Sequence, residues 1–73
     1  MSYHLKLCSG SSAVKKLIRA GWRVDRQVGS HIMLVKTGYI YTLSIPQHKE
    51  LGIGILKKLI KQAGLNAEEF NEL

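Results

Sequence analysis

The chain has 73 residues, a formal net charge of +6 at pH 7 and a single cysteine, Cys8. A chain of this length forms one domain, residues 1–73, and buries only about 60% of its unfolded surface, which excludes large cofactor-binding folds. Cys8 has no partner for an internal disulfide, and no apolar stretch approaches the roughly 18 residues of a membrane span. We therefore expect a small soluble protein of the cytoplasm.

The charge is unevenly distributed. Eleven Lys and Arg face five Asp and Glu, and three of the acids, Glu68, Glu69 and Glu72, lie together near the C-terminus. The rest of the chain is therefore more basic than the total indicates. Such an excess of positive charge favours nucleic-acid binding, although an acidic protein partner or solubility alone is also consistent with it.

The first predicted element is an amphipathic helix that ends near Ala20. Ser11 or Ser12 supplies the N-cap, and Gly21 stands where a left-handed C-cap residue belongs. Helical spacing separates an apolar face from a basic face, which consist respectively of Val14, Leu17 and Ile18 and of Lys15, Lys16 and Arg19.

Three strands follow, separated by glycine-containing turns. The first covers 22–28, where Trp22, Val24 and Val28 alternate with polar residues; the second covers 31–37 and the third 39–45. Pro46 ends the third strand because proline cannot donate to a ladder. One face of that strand has Tyr39, Tyr41, Leu43 and Ile45. Short turns between three strands predict an antiparallel meander.

Two helices complete the chain. Gly52 and Gly54 bracket a loop, after which a second amphipathic helix begins near Leu56 and is closed by Gly64. Asn66 and Glu69 have the spacing of a capping box, which predicts a short helix over 67–73 that docks Phe70. The order is helix, three strands, helix, short helix: an α+β fold in which two helices cover one face of a three-stranded sheet.

The predicted fold does not account for two features of the sequence: the apolar second strand and residues 1–10. The second strand is apolar on both faces, with Ile32 and Leu34 on one and Met33 and Val35 on the other, which indicates a partner surface on the uncovered face. Residues 1–10 alternate weakly through Tyr3, Leu5 and Leu7 and fit either an extended N-terminal arm or an extra edge strand.

The candidate chemistry centres on Gly29-Ser30-His31. Glycine and serine let the backbone turn sharply, and an imidazole can give or take a proton near neutral pH. RNA cleavage by the 2′-OH needs a base, an acid and positive charge on the phosphate oxygens, which histidines and lysines supply without a metal. His31 is the main candidate, and Ser30, His48 and Lys49 are candidates for a supporting role.

Other chemistries find little support. Four residues that could ligate zinc, His4, Cys8, His31 and His48, have a spacing that matches no paired finger pattern, so we expect no metal site. The chain has no P-loop, no dinucleotide fingerprint and no nucleophile elbow, and we expect no cofactor. The lysines of the second helix, Lys57, Lys58 and Lys61, are either an RNA-binding site or an ordinary solvated face.

Taken together, the segments resemble the HicA family of bacterial toxins, over about residues 9–73. The resemblance rests on several short motifs in a fixed order: Ala20-Gly21-Trp22, Gly29-Ser30-His31, Ile45-Pro46 with His48, Lys49-Glu50-Leu51, Gly54-Ile55-Leu56 and Ile60-Lys61-Gln62-Ala63-Gly64-Leu65. Many members carry a second histidine directly after the first and an aromatic residue two positions further on, where this chain has Ile32 and Leu34.

The resemblance implies a double-stranded-RNA-binding-like α-β-β-β-α fold and an mRNA-cleaving endoribonuclease. It matches His31 to the catalytic histidine and implies a HicB-type antitoxin that blocks the active site. Two readings from other classes stay open at this point: a noncatalytic RNA-binding module and a protein-interaction module of the same fold. If the chain is a ribonuclease, the lysines of the second helix are expected to hold the RNA backbone.

Overall fold

The computed structural model describes residues 5–73; residues 1–4, which include Tyr3 and the candidate ligand His4, lie outside the described part. Six elements follow one another: α1 (Gly10–Arg19), β1 (Arg23–Val28), β2 (His31–Val35), β3 (Leu43–Pro46), α2 (Ile53–Gln62) and α3 (Ala67–Glu72). The strands form one antiparallel sheet in the order β1-β2-β3. The predicted α+β architecture is confirmed.

The core lies between the helices and one face of the sheet. Leu34 pairs with Leu43 and Ile32 with Ile45 across β2 and β3, and directly paired residues share a face. Leu34, Leu43 and Ile45 are fully buried, whereas the paired Met33 and Ser44 point to the opposite, outer face. The buried cluster comprises Ala13, Leu17, Trp22, Leu34, Leu43, Ile45, Leu51, Leu56, Leu59, Ile60, Ala63 and Phe70.

Both long helices begin earlier than the sequence pattern predicted. The N-cap of α1 is Ser9, whose hydroxyl accepts from the Ser12 amide at 3.1 Å, rather than Ser11 or Ser12. The amide of Gly10 donates to His48 O at 2.9 Å, so a tertiary contact fixes this start. Helix α2 is capped by Gly52 and includes Gly54, which the sequence had placed in a loop.

A β-bulge changes the faces of β1. Val24 pairs with Leu34 on the core side, but the register shifts between Val24 and Arg26, so that Val28 pairs with His31 on the outer side. The predicted alternation, which placed Val24 and Val28 on one face, is therefore wrong. A bulge adds a residue to one strand and reverses the side-chain alternation beyond it. The alternation of apolar and polar residues in the sequence does not reveal such a reversal.

The second and third strands are shorter than predicted. Strand β2 ends at Val35, and the Tyr39 amide donates to Lys36 O at 3.1 Å in a turn in which Gly38 has a φ of +88°. Strand β3 begins only at Leu43, so Tyr39 and Tyr41 lie outside the sheet and are exposed. The Tyr39 ring lies 5.2 Å from the ring of Trp22. This aromatic contact accompanies the position of Tyr39 outside the sheet.

Helix α3 packs against α1, and residues 5–9 are hydrogen-bonded to the segment before α2. Asn66 and Glu69 form the predicted capping box, and Phe70 is buried as predicted. Lys16 Nζ donates to Phe70 O at 3.1 Å and lies 5.0 Å from the Phe70 ring centre. Residues 5–9 form neither helix nor strand, and the Leu51 amide donates to Cys8 O at 2.8 Å. Within residues 5–73, no helix is long and apolar enough to cross a membrane.

Candidate functional site

The Gly29-Ser30 turn delivers His31 to the first position of β2. Gly29 has a φ of +58°, a left-handed conformation that glycine adopts without strain. The Gln47 amide donates to Ser30 O at 2.8 Å, which ties this turn to the end of β3. His31 pairs with Val28 on one side and Pro46 on the other, at the end of the central strand on the outer face, and it is half-buried.

His31 lines two clefts. The helix-side cleft, with a volume of about 280 Å³, lies between β3 and α2 and is lined by His31, Thr42, Ser44, Pro46, Ile55, Lys58, Leu59 and Gln62. Its polar groups are one ammonium, two hydroxyls, one amide and the imidazole. Such groups can hold a sugar and a phosphate beside the imidazole.

The second, outer-face cleft has a volume of about 260 Å³ and is lined by Arg26, Val28, His31, Met33 and Ser44. All five residues come from the three strands, on the face that turns away from the helices. His31 and Ser44 belong to both clefts. The imidazole therefore stands at the junction of the two.

The three lysines of α2 are exposed but do not share one groove. Lys58 lines the helix-side cleft with His31. Lys57 and Lys61 line a different groove of about 490 Å³ between α2, α3 and Leu5, together with Ile53, Ile60, Leu65 and Ala67. Of the three, it is thus Lys58 that the fold brings to the histidine.

The other predicted supporting residues lie apart from the two clefts. Ser30 is exposed in the turn, and its carbonyl is used by Gln47. His48 and Lys49 are exposed beyond the end of β3, and the His48 carbonyl accepts from the Gly10 amide at the start of α1. None of these three residues lines either cleft that contains His31.

The electrostatics of the site are cationic. Among the described residues, no carboxylate lines either cleft with His31 or the groove of Lys57 and Lys61. Asp25 lies next to the outer-face cleft and contacts Arg26 Nη1 at 2.5 Å. A polyanion can therefore approach the imidazole through the helix-side cleft, whose lining residues carry no negative charge.

Cys8 lies outside both clefts. Burial raises the pKa of its thiol above the ordinary value of 9.0, although the Lys16 ammonium and a hydrogen bond with Ser12 act in the opposite direction. A raised pKa keeps the thiol protonated, which makes Cys8 a poor nucleophile.

Sequence reasoning did not identify several residues of the clefts. Ser44 lies between Leu43 and Ile45, and Gln62 is four residues after Lys58, so strand alternation and helix periodicity contain a signal for both. Arg26 has no such signal, because only the bulge places it on the outer face. Thr42 reaches the helix-side cleft from the loop before β3.

Comparison with known proteins gives one result for the family. The family model described as HicA toxin of bacterial toxin-antitoxin matches residues 10–65, which is 56 of the 73 residues. No curated protein matches the chain with significance. The matched range contains all residues of both clefts.

Proposed function

The chain belongs to the HicA family of toxins from bacterial toxin-antitoxin systems, and on that basis we propose that it is a metal-independent endoribonuclease that cleaves mRNA with His31. It is a toxin whose family implies an antitoxin partner. The observation that supports the nuclease proposal is the position of His31, half-buried where two clefts without lining carboxylates meet, one of which Lys58 also lines.

The proposed reaction uses the RNA's own 2′-hydroxyl. The His31 imidazole takes the proton as the 2′-oxygen attacks the adjacent phosphorus, and the bond from phosphorus to the 5′-oxygen breaks. Water protonates the leaving 5′-oxygen, so the products carry a 2′,3′-cyclic phosphate and a 5′-hydroxyl. A positioned proton acceptor contributes typically 10²- to 10⁴-fold to such a rate.

Lys58 supplies positive charge where negative charge grows. As the 2′-oxygen attacks, charge accumulates on the nonbridging phosphate oxygens, and an ammonium close to them stabilises the transition state. Lys58 lines the same cleft as His31, with Thr42, Ser44 and Gln62 available for hydrogen bonds to the sugar and phosphate. Lys57 and Lys61 extend the basic surface and are proposed to hold RNA further along its backbone.

The proposed reaction does not use the supporting residues predicted from the sequence, Ser30, His48 and Lys49, because none of them lines a cleft that contains His31. His48 is therefore the control for His31, since both are histidines and His48 is exposed on the same domain. The antitoxin is proposed to be of the HicB type and to cover the clefts at His31, which blocks access of mRNA in the cytoplasm.

Cleavage of a defined mRNA in excess chelator tests the proposal. Wild type and His48→Ala should cleave and leave 2′,3′-cyclic phosphate or its hydrolysis product, whereas His31→Ala should be slower by a factor on the order of 10² to 10⁴. Circular dichroism should show the same fold for all three, since His31 is not part of the buried core.

Three outcomes would contradict this proposal. Full activity of a folded His31→Ala variant would remove the histidine from the reaction. Activity that is lost in chelator and restored by a divalent ion would replace the mechanism by a metal-dependent one. Tight RNA binding without cleavage by wild type would favour the noncatalytic RNA-binding module.

A further inference from the structure

The outer-face cleft differs in chemistry from the helix-side cleft that the proposed reaction uses. Val28 and Met33 form its apolar part, and Arg26 and Ser44 add hydrogen-bonding groups. It contains no lysine, whereas the helix-side cleft contains Lys58. The two clefts meet at His31 and Ser44, so a ligand that reacts at His31 can extend into both.

The bulge in β1 builds this cleft. Without the extra residue at Asp25, strict alternation from Val24 would turn Arg26 toward the core side and Gln27 toward the outer side. With the bulge, Arg26 pairs with Met33 and Val28 pairs with His31. Both side chains therefore lie on the outer face, next to β2, the strand that contains His31. Bulges commonly re-aim a side chain next to a functional site.

The Arg26 guanidinium is held in position by Asp25 and still has free N–H donors. Asp25 Oδ2 contacts Nη1 at 2.5 Å, and the Arg26 side chain keeps 58% of its surface exposed. A guanidinium has five N–H donors in a planar fork, so donors remain for a second partner. The neighbouring carboxylate restricts the side chain and reduces the entropy that binding has to overcome.

A flat ring with acceptors on its edge fits this set of groups. The Met33 thioether makes favourable contacts with aromatic rings, and Val28 adds apolar surface. The arginine fork matches the O6 and N7 acceptors of guanine, and proteins that read RNA sequence bind unstacked bases in this manner. A phosphate would instead leave Val28 and Met33 in contact with a charged, strongly hydrated group.

We propose that the outer-face cleft binds the base of a nucleotide next to the cleaved bond, with a preference for guanine, and so selects the RNA sequence that is cut. The proposal rests on the proposed ribonuclease function. Arg26 is the specificity-determining residue, Met33 and Val28 form the surface for the ring, and Ser44 offers a hydroxyl where the two clefts join.

A binding measurement tests the subsite without any need for cleavage. Wild-type protein is titrated separately with the 3′-monophosphates of the four nucleosides and with ribose 5-phosphate, and amide shifts are followed by NMR. Guanosine 3′-monophosphate should shift Arg26, Val28, Met33 and Ser44 most strongly, while ribose 5-phosphate should affect mainly Lys58 and Gln62. Equal shifts of the outer-face amides with all five compounds, or none with any, would overturn the proposal.

A second measurement links the cleft to the choice of cleavage site. A randomised RNA pool is digested by wild type, Arg26→Lys, Arg26→Gln and Met33→Ala, with Val35→Ala as a matched outer-face control, because Val35 pairs with Arg23 and lines neither cleft. Both Arg26 variants should lose the guanine preference by roughly tenfold, since Lys keeps the charge but lacks the fork. Val35→Ala should keep it.

The results separate this proposal from the proposed function. Unchanged cut sites in active Arg26→Lys and Arg26→Gln variants would overturn the subsite and leave ribonuclease activity intact. If wild type does not cleave RNA at all, the ribonuclease proposal fails, and the nucleotide titration alone decides whether the cleft binds a base.

Discussion

His31 is the residue on which the proposed reaction depends, because its side chain lines both clefts. The Gly29-Ser30 turn and the apolar run after it mark a strand that begins with an imidazole, and the fold places that imidazole between two clefts. Arg26 could not be found in the same manner. Its neighbourhood depends on which residue of β1 is left unpaired, and this choice is made by the packing of the whole sheet.

The lysines of α2 show the same limit. Helical spacing predicts that all three are exposed, which is correct, but not which groove each one faces. The groove that each lysine faces depends on where β3 and α3 pack against the helix. Lys58 lines a cleft with His31, whereas Lys57 and Lys61 line a groove with Leu5 and Leu65. Their proposed roles in RNA binding are therefore separable by mutation.

Replacing these lysines with glutamine should give two different results. Lys58→Gln should lower both RNA affinity and the cleavage rate, because Lys58 lies in the cleft of His31. Lys57→Gln with Lys61→Gln should lower affinity only. Each lost phosphate contact should flatten the dependence of log K on log salt by about 0.7 for single-stranded RNA, measured by fluorescence anisotropy at several salt concentrations.

An unchanged salt slope in a variant with Lys57, Lys58 and Lys61 all replaced by glutamine would show that α2 does not hold RNA. The basic surface that meets RNA would then lie on α1, where Lys15 and Arg19 are exposed. Lys16 is not available there, because its ammonium donates to Phe70 O and lies over the Phe70 ring.

At the scale of the elements, order and type follow from periodicity, while boundaries follow from tertiary contacts. The six elements occur in the predicted order because apolar spacing, turn glycines and the Asn66–Glu69 capping box are local signals. The start of α1 at Gly10 and the late start of β3 at Leu43 were not predictable from these signals. The hydrogen bond from the Gly10 amide to His48 O fixes the start of α1. The contact of Tyr39 with Trp22 accompanies the late start of β3.

Two glycines at the beginnings of helices should respond oppositely to alanine. A Cβ at Gly10 would lie 2.0 Å from Pro46 O, so Gly10→Ala should push α1 from β3 and lower the free energy of unfolding by roughly 1–3 kcal/mol. A Cβ at Gly54 has open space in α2, and Gly54→Ala should raise the free energy of unfolding by about 0.5–1 kcal/mol. Urea unfolding of both variants measures these changes.

A Gly10→Ala variant as stable as wild type would show that the junction of α1 with the end of β3 gives way easily. The assignment of Gly10 as a required close approach would then be wrong. Gly54→Ala serves as the matched control, because it makes the same substitution at a helix position where the added Cβ has no neighbouring atom within 4 Å.

At the scale of the whole molecule, charge and fold favour the same function. The net charge of +6 coexists with an acidic end of the chain, where Glu68, Glu69 and Glu72 belong to α3. The clefts at His31 have no carboxylate among their lining residues, so the excess of positive charge is available to an incoming polyanion. An antitoxin that covers these clefts would compete directly with RNA.

The most direct measurement of the central claim is growth after controlled expression in bacteria without the antitoxin. Wild type should arrest growth, co-expression of the cognate antitoxin should restore it, and His31→Ala at the same soluble level should leave growth close to that of cells with an empty vector. His48→Ala should still arrest growth. Arrest by a folded His31→Ala variant equal to that by wild type would contradict the account.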